Sequence, residues 1–284
     1  MEVDCRGCAG CCLDWRPLAP VEDHERRGPR RPLDDVYNLV PLSRDDVWAL
    51  VDAGIAEAMT PRLWEATDGP AVSIDGHRIA AIEGKPAFFV GIRKVPKPVA
   101  PFDTSATWLP TCIFLDPATL QCRIHDTDQY PEECGAYPGH NLSLGVETEC
   151  ERVESHFDGD RLRDDTPPDE GPAPLMGPQA VGQKVFVYPD PADLDGVIER
   201  LVDGNLTGED RARFVAAAAA SAPGTSAVEP NRFESTFESV READSWIGPA
   251  IADWAARAAN DPPDPAMAVD VEEDRGAPKT DGWD

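Results

Sequence analysis

Eight cysteines fall into two groups, and no other feature constrains this 284-residue chain as strongly. The first group is the run Cys5-Arg6-Gly7-Cys8-Ala9-Gly10-Cys11-Cys12. The second is Cys112, Cys122, Cys134 and Cys150, with nine, eleven and fifteen residues between successive members. Thiolates at this density are what zinc or an iron–sulfur centre takes as ligands. Cys-x2-Cys places two sulfurs on one tight turn, and Gly7 and Gly10 let backbone amides turn towards them. Cys11 and Cys12 have Cα atoms about 3.8 Å apart, closer than the usual disulfide range, so a bridge between them would be strained. Free cysteine often serves as a small buried hydrophobe. Two clusters with no cysteine elsewhere point instead to metal.

All eight cysteines are therefore candidate ligands: Cys5, Cys8, Cys11, Cys12, Cys112, Cys122, Cys134 and Cys150, the last carrying the weakest spacing signal. The second group is looser than paired Cys-x2-Cys zinc motifs and does not allot ligands to centres. Two tetrahedral sites fit the count, as does one iron–sulfur cluster with spare cysteines. His24, His125, His140 and His156 lie near the clusters as substitute ligands, with His125 best placed between Cys122 and Cys134.

Composition sets the surroundings. Asp and Glu number 53 against 26 Lys and Arg, a net charge of -27, and only five of the cations are lysines. Such a surplus repels itself at low salt and disfavours nucleic acid and anionic membranes. An acidic, lysine-poor surface fits a halophilic, salt-adapted cytoplasm. No run approaches a membrane span, and Met1-Glu2-Val3-Asp4 lacks the basic and apolar regions of a leader. The cysteines are accordingly expected in a reducing compartment, where structural disulfides are rare. The basic run Arg26, Arg27, Arg30 and Arg31 is expected to pair with nearby carboxylates.

The expected fold class is α+β. A small metal-stabilised cysteine-cluster domain of short strands, hairpins and few helices covers residues 1–157, followed by a Pro/Asp-rich linker or loop over 158–180. A mainly helical region covers 181–260, and a disordered acidic tail covers 261–284. Ser43 opens a helix with Asp46 as its capping-box partner. Residues 71–95 read as a β-meander with turns at Asp75-Gly76 and Glu83-Gly84, the last strand running from Ala87 to Val95. Cys112–Leu115 and Leu120–Ile124 read as a hairpin, and Pro131–Cys134 as a turn or short helix. A strand is expected over 184–188 and helices over 192–203, 207–221 and 231–259, with Gly248-Pro249 breaking the last.

Residues 1 to about 150 resemble the YkgJ-type cysteine-cluster family, described as a zinc- or iron-chelating domain. The family pattern is CxxCxxCC, a helix, C-x-F/Y-L, C-x-I-Y, then R-P-x-x-C-R-x-F/Y-P. The counterparts are the run Cys5 to Cys12, Cys112-Ile113-Phe114-Leu115, Cys122-Arg123-Ile124-His125, and Tyr130-Pro131-Glu132-Glu133-Cys134-Gly135-Ala136-Tyr137-Pro138. Tyr130 and Gly135 stand where the pattern has arginines, and His125 where it has tyrosine. Arg6, Arg16 and Arg123 are then the candidates to compensate the charge of the centre.

The resemblance implies a protein that chelates zinc or iron, the latter including an iron–sulfur cluster, with a metal ion or cluster as its partner. One related branch is similar to flagellin lysine N-methylases. A metal-dependent enzyme, either a protein lysine methyltransferase or a redox catalyst, is thus one alternative, and a zinc-stabilised interaction module is another. Cys5 and Cys8 have dithiol spacing, but no βαβ pattern accompanies them. A radical S-adenosylmethionine motif fails because Trp15 occupies its third cysteine position. Glycine-rich dinucleotide, P-loop, HExxH and GxSxG patterns do not occur.

Overall fold

A computed structural model describes residues 7–19, 30–143, 147–157, 183–222 and 225–280. The expected linker over 158–180 lies outside these residues, as do Cys5, Arg6 and His24. The architecture is α+β, with antiparallel sheets.

The strands are β1 (Met59–Leu63), β2 (Ala71–Ile74), β3 (His77–Ile82), β4 (Lys85–Ile92), β5 (Lys94–Val99), β6 (Thr107–Cys112) and β7 (Phe186–Val187). The α-helices are α1 (Arg44–Asp52), α2 (Glu132–Ala136), α3 (Gly139–Ser143), α4 (Glu149–Phe157), α5 (Val197–Val202), α6 (Gly208–Ala219), α7 (Pro230–Glu242), α8 (Ile247–Asn260) and α9 (Ala268–Val271).

Local signals explain the meander. Asp75 and Gly76 both have positive φ, as do Glu83 and Gly84. Two residues in that conformation make the primed turns whose twist matches a hairpin. β2, β3 and β4 are thereby stitched in sequence, and β4 also pairs with β1 (Met59↔Ile92) and with β7 (Phe88↔Phe186). The strand expected to run through to Val95 instead divides at Arg93. Lys94 opens β5, which leaves the large sheet and pairs with β6 from Lys94↔Cys112 to Val99↔Thr107.

Capping places the helices. The Ser43 hydroxyl accepts from the Asp46 amide while the Asp46 carboxylate accepts from the Ser43 amide, so α1 starts where the sequence indicates. Thr207 and Asp210 do the same for α6. The break expected at Gly248-Pro249 falls earlier, between Glu242 and Ile247. Pro249 sits in the first turn of α8, where a backbone N–H has no partner within the helix and its loss is harmless.

One apolar core joins both halves of the chain. Leu42, Val47, Met59, Phe88 and Phe114 from the first half are clustered with Phe186, Phe214, Trp246 and Trp254 from the second. The expected boundary between 1–157 and 181–260 therefore does not separate two cores.

The acidic tail also departs from expectation, because residues 261–280 are packed rather than disordered. Val271 and Ala277 are in the core, and Glu272 has no solvent exposure. Glu272 forms an ion pair with the fully buried Lys97, accepts from Arg123 Nε at 2.8 Å and accepts from Trp254 Nε1 at 2.9 Å. The remaining Lys97 donors reach Ile113 O at 2.7 Å and Leu115 O at 2.8 Å. Arg123 adds Pro278 O at 2.9 Å, and Thr280 donates to Asp116 Oδ2 at 2.6 Å. Buried charges persist only when paired and hydrogen-bonded, and the tail supplies the partners. An acidic composition predicts disorder on average, yet one carboxylate facing two buried cations is enough to dock the segment. Residues 281–284 lie outside the described residues.

Among the described residues no helix is long and apolar enough to cross a membrane.

Candidate metal centre

The two cysteine groups meet. Backbone pairing brings them together, since Leu13 bridges Thr111, Cys112 N donates to Cys12 O at 2.7 Å, and Asp14 N donates to Pro110 O at 2.8 Å. The N-terminal segment thus lies along the edge of β6 that β5 leaves open, and the turn before it is carried to the end of that strand. The turn is held by Cys12 N donating to Ala9 O at 2.8 Å, with Gly7 and Ala9 at positive φ. Gly10 is packed so closely on α4 that a Cβ there would stand 2.7 Å from Val153 Cγ2.

The junction encloses a chamber of about 120 Å³ lined by Cys8, Cys11, Cys12, Cys112, Cys122, Cys134 and Cys150. Every cysteine of the described residues is in that lining; Cys5 lies outside them. Cys112 is the last residue of β6. Cys122 is fixed by its bridge to Leu115, across a loop in which Asp116 Oδ1 accepts from the amides of Ala118 and Thr119. Cys134 lies in α2 and Cys150 in the first turn of α4. Between them the wall is mainly apolar, including Val40, Ile92, Phe114, Ile124 and Pro131.

Cys11, Cys12, Cys112, Cys122 and Cys134 are free thiols. The Sγ atoms of Cys11 and Cys12 are 3.9 Å apart. That hydrogen bond pulls the Cys11 thiol below its usual range against the effect of burial, with Lys94 adding to the pull. The same bond, with burial, pushes Cys12 well up. Burial raises Cys112 and Cys134, and burial followed by repulsion from Cys112 pushes Cys122 up to about 12. Most of these thiols are thereby favoured in the protonated form, and a soft metal ion is the kind of cation that would displace such protons. The donor set therefore fits a thiolate-bound metal.

Among the described residues no three His, Cys, Asp or Glu side chains converge as a ready single-ion site. Nor do the histidines substitute. His125 faces Asp126 at 3.1 Å, His140 faces Glu133 at 3.2 Å, and His156 Nδ1 lies 2.8 Å from Arg152 O. None of these three lines the chamber.

The charge compensation expected from arginine is also placed elsewhere. Arg16 is held by Asp14 at 2.8 Å, and Arg123 belongs to the Glu272 network. Arg30 pairs with the Asp68 carboxylate at 3.9 Å as expected of the basic run, but from a buried position, its Nη2 also donating to Asp68 O at 3.4 Å. Among the described residues the cation lining the chamber is Lys94, which stands opposite Cys112 in the strand register and directs Nζ to Cys11 O at 3.4 Å. Burial lowers the Lys94 ammonium, while the thiols of Cys12, Cys112 and Cys11 pull it back up.

Sequence reasoning missed Lys94. Its one available signal was the rarity of lysine in so acidic a chain. Glu149 was missed as well. It is buried at the chamber wall, accepting from Trp15 Nε1 at 2.9 Å and Tyr37 Oη at 2.7 Å. Tyr130, standing in an arginine position of the resembled pattern, lines the chamber, and burial followed by the nearby thiols raises its hydroxyl.

Fold and site together define an α+β protein whose first half wraps a thiol-lined chamber. The chain belongs to a family of unknown function, DUF7531, whose profile matches residues 1–284. No curated protein and no solved structure matches it.

Proposed function

We propose that this protein binds zinc or iron through its cysteines and that the bound metal ties the N-terminal turn to β6, α2 and the loop between them. The observation that carries the reading is the convergence of seven cysteines, from segments about a hundred residues apart, on one chamber. Apolar packing alone does not call for several sulfurs around one space, whereas soft-metal coordination does. Cys11, Cys112, Cys122 and Cys134 would hold the metal with Cys12 beside Cys11, and Lys94 would offset the negative charge of the thiolates. The metal supplies a crosslink between distant segments and a Lewis-acidic or redox-active centre. The likeness of residues 1–150 to YkgJ-type chains supports the same reading, and free thiols in such number suit a reducing, cytoplasmic setting. Purification without oxygen, followed by metal and sulfide analysis, tests it. Bound zinc or iron is expected; colourless, metal-free protein with eight titratable thiols rejects it.

A further inference from the structure

We infer that the chamber is built for a polynuclear iron–sulfur cluster rather than a single ion, with Cys11, Cys112, Cys122 and Cys134 as its ligands and Cys12 as a thiol donor to Cys11. This inference rests on the metal-binding reading and assigns the class of cofactor and the ligands. A tetrahedral zinc with Zn–S near 2.3 Å draws its four sulfurs to within about 3.8 Å of one another. Cys11 and Cys12, sequence neighbours, stand at that separation, 3.9 Å, and no three candidate ligands among the described residues converge on one point. The thiols instead surround a chamber of about 120 Å³.

A single ion would leave most of that space empty beside apolar walls, and unfilled apolar volume is destabilising. A cage of iron and sulfide fills it. Bridging sulfides are weak hydrogen-bond acceptors, so they are matched by walls such as Val40, Ile92, Phe114 and Ile124.

Allotment follows from where the sulfurs sit. Cys11, Cys112, Cys122 and Cys134 come from four different segments, the N-terminal turn, the end of β6, the loop after Asp116 and α2, and all four line the chamber. Each of the four thiols is within electrostatic reach of the other three, and Cys12 is within reach of Cys11, Cys112 and Cys134, so the contact to Cys11 is what sets Cys12 apart. Cys12 is joined to Cys11 by the S–H···S contact, and a donor to a coordinating sulfur is the kind of outer partner that tunes a cluster. Cys8 is packed in a second apolar cluster with Leu13, Trp15, Leu115 and Val153.

The test is reconstitution of the full chain with a mixture of ferric and ferrous iron and sulfide, without oxygen, in parallel with zinc titration. Iron and acid-labile sulfide in equal amounts, with more than one iron per chain and broad charge-transfer absorption, are expected. Cys11→Ser, Cys112→Ser, Cys122→Ser and Cys134→Ser each abolish that absorption, Cys12→Ser shifts its maximum without abolishing it, and Cys8→Ser retains it. Because a variant can fail to fold, alkylation of the reconstituted wild type, mapped by mass spectrometry, gives a second readout in which the four ligands are protected until a chelator is added. One zinc or iron per chain without sulfide overturns the cluster and leaves metal binding standing. Absorption retained in one of the four variants with its sulfur still alkylated overturns the allotment. No bound metal of either kind removes the underlying reading as well.

Discussion

Glu272→Gln is the sharpest test of how the C-terminal segment is held. The carboxylate has no solvent exposure, pairs with Lys97 and accepts from Arg123 Nε at 2.8 Å and Trp254 Nε1 at 2.9 Å. Glutamine keeps the size but removes the charge and turns an NH2 donor towards one of two buried cations. Breaking a buried pair from one side costs about 3–5 kcal/mol, because the partner charge is left uncompensated. Arg123 retains Asp116 at 3.1 Å and Pro278 O at 2.9 Å, so the loss belongs mostly to Lys97 and lies near the lower end, about 3 kcal/mol. Against a total stability of about 5–15 kcal/mol this is a large fraction, and for a chain of this size it lowers the melting temperature by roughly 6–12 °C. Urea unfolding followed by tryptophan fluorescence reads it directly, since Trp254 bonds Glu272 and lies 6.0 Å from Trp108. Adding Lys97→Met to Glu272→Gln removes the stranded ammonium, and the double variant recovers part of the loss. The effect persists in molar salt because buried pairs are weakly screened. A loss under about 1 kcal/mol, or one that salt abolishes, refutes a buried network of this kind.

Other perturbations probe the site and its frame. Gly10→Ala forces a Cβ to 2.7 Å from Val153 Cγ2 and destabilises by about 1–3 kcal/mol, and Val153→Ala added to it restores part of that stability in denaturant titrations. Burial raises Cys112 and Cys134 and pushes Cys122 up to about 12, so the proposed metal uptake would release protons; chelator competition should show affinity rising from pH 6 to pH 9, and a flat profile counts against thiolate ligation. Burial would raise the Asp210 carboxyl, but hydrogen bonds from Arg200 and Thr207 bring it to about 2 in the fold, below the unfolded value of about 3.9. Its contribution is complete above pH about 4 and is lost as pH falls towards 2, so Asp210→Asn weakens the protein near neutral pH and flattens its stability between pH 4 and pH 2 in acid titration.

Elements whose information is local were legible in the chain. Ser43 with Asp46, Thr207, and the turn pairs Asp75-Gly76 and Glu83-Gly84 act over three or four residues, and α1, α6 and the meander start and turn where they indicate. β1, β5 and β6 were not legible as strands beyond the first two residues of β5, because each carries proline, at Pro61, at Pro96 and Pro98, and at Pro110. Proline argues against a strand through its missing donor. That argument lapses when Pro96 and Pro110 face each other in a two-stranded ladder at a position where neither nitrogen donates across it, and Pro110 still offers its carbonyl to Asp14.

The amino-acid order by itself determined which atoms are available for chemistry: eight sulfurs in two groups, with glycines to bend the first. Tertiary structure alone decided that seven of them share a chamber, that among the described residues Lys94 rather than an arginine lines it, and that an acidic tail is buried on Lys97 and Arg123. The physical reason is range. Caps and turns are settled by neighbours in sequence, whereas a strand register between Leu13 and Thr111 or an ion pair between Lys97 and Glu272 exists only after distant segments have packed.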